Sequence, residues 1–166
     1  MFTKFVSDFD HPTIVVTLNY RLGVYGFLAG RDLEAYNAVY GETVVGNYGI
    51  WDQVLVLRWA QKHISGFGGD PKRVTVFGQS AGGVSINCHL LRDEPLFSST
   101  IRQSGLIRLC GVMSIDEYQI IYEKMLVELV VSLHLSPKER IEKFLSIDTV
   151  SVTAAMVPVF ITLLSP

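Results

Sequence analysis

The sequence predicts an α/β fold, and three observations carry that expectation. Residues 13–19 (TIVVTLN) and 73–77 (RVTVF) are short β-branched runs with no helical spacing, the composition of strands buried on both faces of a parallel sheet. Between them lies an apolar stretch too long for a strand, 50–64 (IWDQVLVLRWAQKHI). The second run then ends in a Gly-x-Ser-x-Gly turn that leads into another helical segment. Strands that alternate with helices in this way form parallel sheets with right-handed crossovers and helices on the sheet faces.

Taken in order, 13–19 is the first strand. In 50–64, Ile50, Val54 and Leu57 fall at helical offsets, and so do Leu55 and Trp59; a helix apolar nearly all round is expected to be largely buried. It stops at 65–71 (SGFGGDP), where three glycines and a proline end a helix and turn the chain into the strand at 73–77. A helix from Ser80 to about Leu91 follows, and then a strand over 98–103.

The last third is helical. Ser114 with Glu117 three residues on is a capping box, each side chain satisfying the other's backbone N–H, and predicts a helix to about Leu133. Ser136 and Glu139 repeat the device with Pro137 at the first helical position, where its missing N–H costs nothing. A helical pair is therefore expected after the sheet segment. Residues 149–166 carry no charge. Only their stretch 150–164 is suited to hydrocarbon, against about 20 residues for a spanning helix, and Pro158 interrupts it. The expectation is against a membrane span.

The chain has 166 residues, 49% hydrophobic and 18% charged, with a net charge of -2. Its length suits one domain, and a globule of this size buries roughly 70% of the surface of the unfolded chain. The composition is far from that of disorder, and the absence of a basic excess argues against nucleic acid as a partner. Cys88 reads as a small apolar group in a buried helix, with one bridge to Cys110 conceivable. Residues 1–12 lack the apolar run of a signal peptide. Localisation stays open, secretion of a full-length parent included, and so does oligomeric state. The histidines and cysteines show no metal-ligand spacing, so neither a metal nor a cofactor is expected.

The chemistry concentrates in 74–83 (VTVFGQSAGG). A serine on a sharp strand-to-helix turn has its hydroxyl lifted above the sheet edge. Bulky side chains two positions either side would meet neighbouring backbone, which accounts for Gly78 and Gly82. Ser80 also stands at a helix N-terminus, where unpaired N–H groups and the helix dipole favour an oxyanion; the Ala81 N–H is the expected donor.

These residues, with blocks 16–28 (VTLNYRLGVYGFL), 46–64 (GNYGIWDQVLVLRWAQKHI), 67–85 (FGGDPKRVTVFGQSAGGVS) and 100–105 (TIRQSG) in the same order, resemble the type-B carboxylesterase and cholinesterase family of α/β-hydrolases. The resemblance covers about 13–111. It implies a partial α/β-hydrolase domain over 1–166, with a sheet and nucleophile-elbow segment at 13–111 and a helical segment at 112–166. It also implies Ser80 as catalytic nucleophile, Ala81 as one oxyanion-hole donor, and small carboxylic esters as substrates. Gln79 departs from the glutamate usual there; glutamine keeps the hydrogen-bonding capacity without the charge, which tunes the site without abolishing it. The family's Gly-Gly oxyanion loop, acid and histidine are not found in the chain, so it is expected to be truncated and, alone, inactive.

The four histidines do not replace the missing one. In the hydrolase order of serine, acid, histidine, only Glu123 or Glu128 with His134 would serve. Six positions separate Glu128 from His134, about 120° apart on one helix, whereas facing pairs sit at three or four. His89 lies nine residues past Ser80, about 13 Å along the same helix. His63 reads as a helix-end histidine, and His11 precedes a proline. Arg21 and Asp52, charged residues in segments that read as buried, are expected in a structural polar network, with substrate binding as the alternative. Two other readings remain beside the hydrolase: a noncatalytic interaction domain, as in the adhesion branch of the family, and a fragment with no function.

Overall fold

A computed structural model describes residues 12–106 and 112–164, with side chains through 159. Its helices and strands run in the order α1 (Gly23–Phe27), α2 (Arg31–Val39), α3 (Tyr48–His63), β1 (Thr75–Gln79), α4 (Ala81–Leu90), β2 (Ser99–Gln103), α5 (Ile115–Glu128), α6 (Pro137–Ser146) and α7 (Thr149–Leu164). Two compact units result, one drawn from Met1–Tyr20 and Ile50–Gly111, the other from Arg21–Gly49 and Val112–Pro166. The stretch from Arg21 to Gly49 thus groups with the C-terminal helices.

In the first unit β1 and β2 are parallel, with Thr75 opposite Ser99 and Gln79 opposite Gln103. α4 connects them, as a strand–helix–strand alternation requires. Val54, Leu57 and Leu96 are buried together, with Trp51, Val76 and Phe97 packed against them. Helix α3 is less buried than the largely buried helix expected. Val54, Leu57 and Ala60 face inward while Leu55 and Trp59 are exposed, Trp59 stacking near His63 and Phe67. Gln61 Nε2 donates to the carbonyls of Pro71 and Leu96 at 3.0 and 2.8 Å, satisfying loop backbone that would otherwise be left without partners.

Residues 13–19 do not form a strand. They run without regular structure, and Ile14, Val15, Val16 and Leu18 are exposed. β-branched composition favours a pleated surface only where a neighbouring strand supplies the ladder, and the described ladder pairs β1 with β2 alone.

The second unit is built on helices. Tyr122, Met125 and Leu126 of α5 are fully buried, with Val24, Leu28, Ile141, Val152 and Val159 around them. Both capping boxes form: Ser114 and Ser136 accept from the N–H groups of Glu117 and Glu139, whose carboxylates return bonds to the serine N–H groups. Those bonds hold both glutamates below the usual carboxylate range. Helix α5 stops at Glu128, short of the expected Leu133. Val130 adopts a positive φ of 57° just beyond it, a conformation that ends the helix. His134 consequently lies in an exposed turn, not at a helix end. Where a helical pair is expected, α7 adds a third helix, with Pro158 inside it. No described helix is long and apolar enough to cross a membrane.

The sequence conceals α1 and, with it, helix α2. The one buried residue of α2 is Asp32, whose carboxylate meets Arg140: Nη2 donates to Oδ1 at 3.0 Å and Nε stands 2.8 Å from Oδ2. Nε and Oδ2 are close but not aligned as a hydrogen bond. Gln119 Nε2 adds a donor to Oδ1 at 3.3 Å. Beside the pair, burial, reinforced by the Asp32 charge, pushes the Tyr122 phenol far up. Arg21 is exposed with its guanidinium over the Tyr48 ring, contrary to the burial expected for its segment.

Candidate active site

Ser80 stands where β1 ends and α4 begins. Its φ of 53° and ψ of −118° fall outside the regions non-glycine residues normally occupy, and such strain persists only where surrounding structure over-determines it. Two backbone bonds do so. The Ser80 N–H donates to the Gln103 carbonyl at 2.8 Å, and the Ser80 carbonyl accepts from the Val84 N–H at 3.0 Å. The turn is thus tied on one side to the end of β2 and on the other to the first turn of α4. Ser80 itself is exposed.

Close packing of backbone on backbone makes this arrangement possible. A Cβ on Gly78 would come within 2.7 Å of the Gly82 carbonyl carbon, and a Cβ on Gly105 within 2.1 Å of the Ser80 carbonyl oxygen. Gly82 differs from the expectation: no described atom lies within 4 Å of where its Cβ would stand. The clash argument holds for Gly78, with Gly82 as the surface it meets, and it holds for Gly105, which the sequence reading did not single out.

Ala81 is the first helical residue of α4, and an N–H in that first turn has no helical carbonyl to bond. Gln79, the last residue of β1, is exposed. His89 is 3% exposed, with Nε2 2.9 Å from Gln53 Oε1, and Gln53 Nε2 donates to Ser85 Oγ at 3.2 Å. Ser85 Oγ in turn donates to the Ala81 carbonyl at 2.9 Å. Burial, with the Arg92 charge second, lowers the His89 pKa. His63 is exposed at the end of α3. His11 and Cys110 lie outside the described residues. Cys88 is half-buried on α4. Among the described residues no three His, Cys, Asp or Glu side chains gather as a metal site.

The sequence reading missed the Gln53–Ser85–His89 chain and the backbone support from Gln103 and Gly105. Ser85 and His89, four apart on one face of α4, carried a readable signal; the partners from α3 and β2 did not.

Comparison with known proteins identifies relatives of the chain. The carboxylesterase family profile matches residues 5–138. The chain is 58% identical over 94 residues to Esterase cest-33 of Caenorhabditis elegans, covering 55% of this chain and 15% of that protein. It is 40% identical over 116 residues to the acylcarnitine hydrolase of Mus musculus, covering 69% of this chain and 19% of that protein. Among solved structures, a thermophilic PNB esterase superposes with a TM-score of 0.71 at 28% identity, over 89% of this chain and 28% of the other. The juvenile hormone esterase of Manduca sexta, with OTFP covalently attached, gives 0.68 at 30% identity over 82% and 24%. The chain therefore spans less than a fifth of the length of these curated relatives. The profile match over residues 5–138, with the backbone likeness to solved esterases, places this chain in the carboxylesterase family of α/β-hydrolases.

Proposed function

We propose that this chain is the nucleophile segment of a carboxylic-ester hydrolase and that Ser80 is the residue acylated. The single observation that supports this most is the Ser80 backbone, held at φ 53° with its side chain exposed at the head of α4. In the reaction the Ser80 hydroxyl attacks the ester carbonyl as a histidine takes its proton, and the Ala81 N–H donates to the oxyanion that develops. The alcohol leaves with a proton returned by the histidine, and water then releases the acyl group. Gln79, beside the nucleophile and uncharged, leaves the acyl site without the negative charge a glutamate would add.

The histidine, the acid and the Gly-Gly oxyanion loop belong, on this reading, to sequence outside these 166 residues. Magnitudes then set what the chain does alone. One oxyanion donor contributes roughly 3 kcal/mol, whereas loss of the serine–histidine unit lowers turnover on the order of 10⁶-fold. The isolated chain is expected to hydrolyse p-nitrophenyl acetate barely above the buffer rate, and Ser80→Ala to leave that rate unchanged. Clear turnover abolished by Ser80→Ala would mean that a base within the chain serves Ser80, and the assignment of the histidine elsewhere would fail.

A further inference from the structure

We propose that Asn87 is a positioning residue for Ser80, acting through the turn on which the serine rests; the functional consequence depends on the reading of Ser80 as nucleophile. The Asn87 carboxamide lies one turn of α4 beyond Gly83. Its Nδ2 donates to the Gly83 carbonyl at 2.8 Å and to the Gly105 carbonyl at 3.4 Å. Its Oδ1 accepts from Arg102 Nη1 at 2.7 Å. One side chain therefore joins two pieces of backbone, the first half of α4 and the 103–105 turn, and also holds the Arg102 side chain of β2.

That turn is the support of the nucleophile. Gln103 supplies the carbonyl that accepts the Ser80 N–H. Ser104 carries a positive φ of 51°, so the turn is itself in a conformation that needs holding. Gly105 lies flat against the Ser80 carbonyl and against Gly83, where a Cβ would stand 3.1 Å from the Gly105 Cα. Ser80 is thus tied to both neighbours of the strained Ser104, by a hydrogen bond to Gln103 and by close approach of Gly105. The Asn87 amide links Gly83 to Gly105, and the exposed Arg102 fixes which way that amide points. Its two donor hydrogens are what the brace needs; an acceptor alone would not close it.

The inference is tested on this chain by amide exchange at Ser80, the proton that bonds to Gln103, with exchange at 86–90 of α4 as the internal control. Asn87→Ala is expected to speed Ser80 exchange about tenfold, the scale of one lost hydrogen bond, while the control amides keep their rates. Asn87→Asp keeps the Arg102 contact but removes both donors, and is expected to match the alanine variant. Arg102→Ala, a surface change that answers the question should Asn87→Ala fail to fold, is expected to give a smaller rise at Ser80. Unchanged Ser80 exchange in Asn87→Ala or in Arg102→Ala, or wild-type protection in Asn87→Asp, would overturn the proposal.

The link to chemistry is read separately, as the rate at which a fluorophosphonate labels Ser80 with imidazole supplied as base. The Ser80 oxygen bonds to phosphorus, fluoride leaves, and imidazole takes the proton. Asn87→Ala is expected to slow this about tenfold at every imidazole concentration, and an equal rate in the two proteins would overturn the positioning role. Wild-type Ser80 that takes no label would count against the nucleophile reading alone, since the exchange result stands without it.

Discussion

The amide N–H of Ser80 donates to the carbonyl of Gln103 at 2.8 Å, one step beyond the last register pair of β1 and β2, in which Gln79 stands opposite Gln103. The parallel ladder therefore does not stop where the strand stops. It continues by one bond into the turn, and that bond helps to hold a serine at a backbone angle it would otherwise avoid.

Glycine substitutions separate close approach from helix propensity. Gly78→Ala and Gly105→Ala each place a Cβ against backbone at under 3 Å and should cost roughly 1–3 kcal/mol, as overpacking does. Gly82→Ala meets open space in the first turn of a helix and should stabilise by up to about 1 kcal/mol. Urea unfolding of the three variants checks the order, and a Gly82→Ala protein weaker than Gly78→Ala would contradict it.

His89 predicts how the first unit responds to acid. Its imidazole is held below the ordinary histidine range by burial, with the Arg92 charge second. The unfolded chain takes up that proton near pH 6.5 while the folded one resists it, so stability falls as the pH drops through about 6.5 and goes on falling until the folded imidazole protonates. His89→Asn should flatten this part of the profile between pH 7.5 and 5. Equal slopes for wild type and variant in urea midpoints would show that His89 is not its source.

The Asp32–Arg140 pair predicts an asymmetry. Both side chains are largely buried, 6% and 13% exposed, so Asp32→Ala leaves an unpaired guanidinium and should cost about 3–5 kcal/mol. Asp32→Leu combined with Arg140→Met should cost much less, because neither charge is then stranded. A double replacement at least as damaging as the single one, measured by thermal unfolding, would mean that the pair contributes more than mutual compensation.

What the sequence disclosed was local. The elbow was legible because Gly78, Ser80 and Gly82 sit within five positions between a β-branched run and a helix, and the two capping boxes because each is closed by residues three apart. The strand expected at 13–19 failed because a strand is decided by its neighbours. Helix α2 went unseen because its inward face is marked by Asp32, whose partner Arg140 lies 108 positions away. The brace of Asn87, Arg102 and Gly105 escaped for the same reason: its members read as ordinary polar and turn residues until β2 is laid beside β1.

Acylation of Ser80 is tested by mass-spectrometric mapping of a fluorophosphonate adduct on the full-length protein that carries this sequence. One adduct is expected, on the peptide containing Ser80, lost in Ser80→Ala and prevented by prior incubation with a slowly released ester. An adduct on a different serine, or an unmodified Ser80 in a protein that still hydrolyses esters, would contradict it.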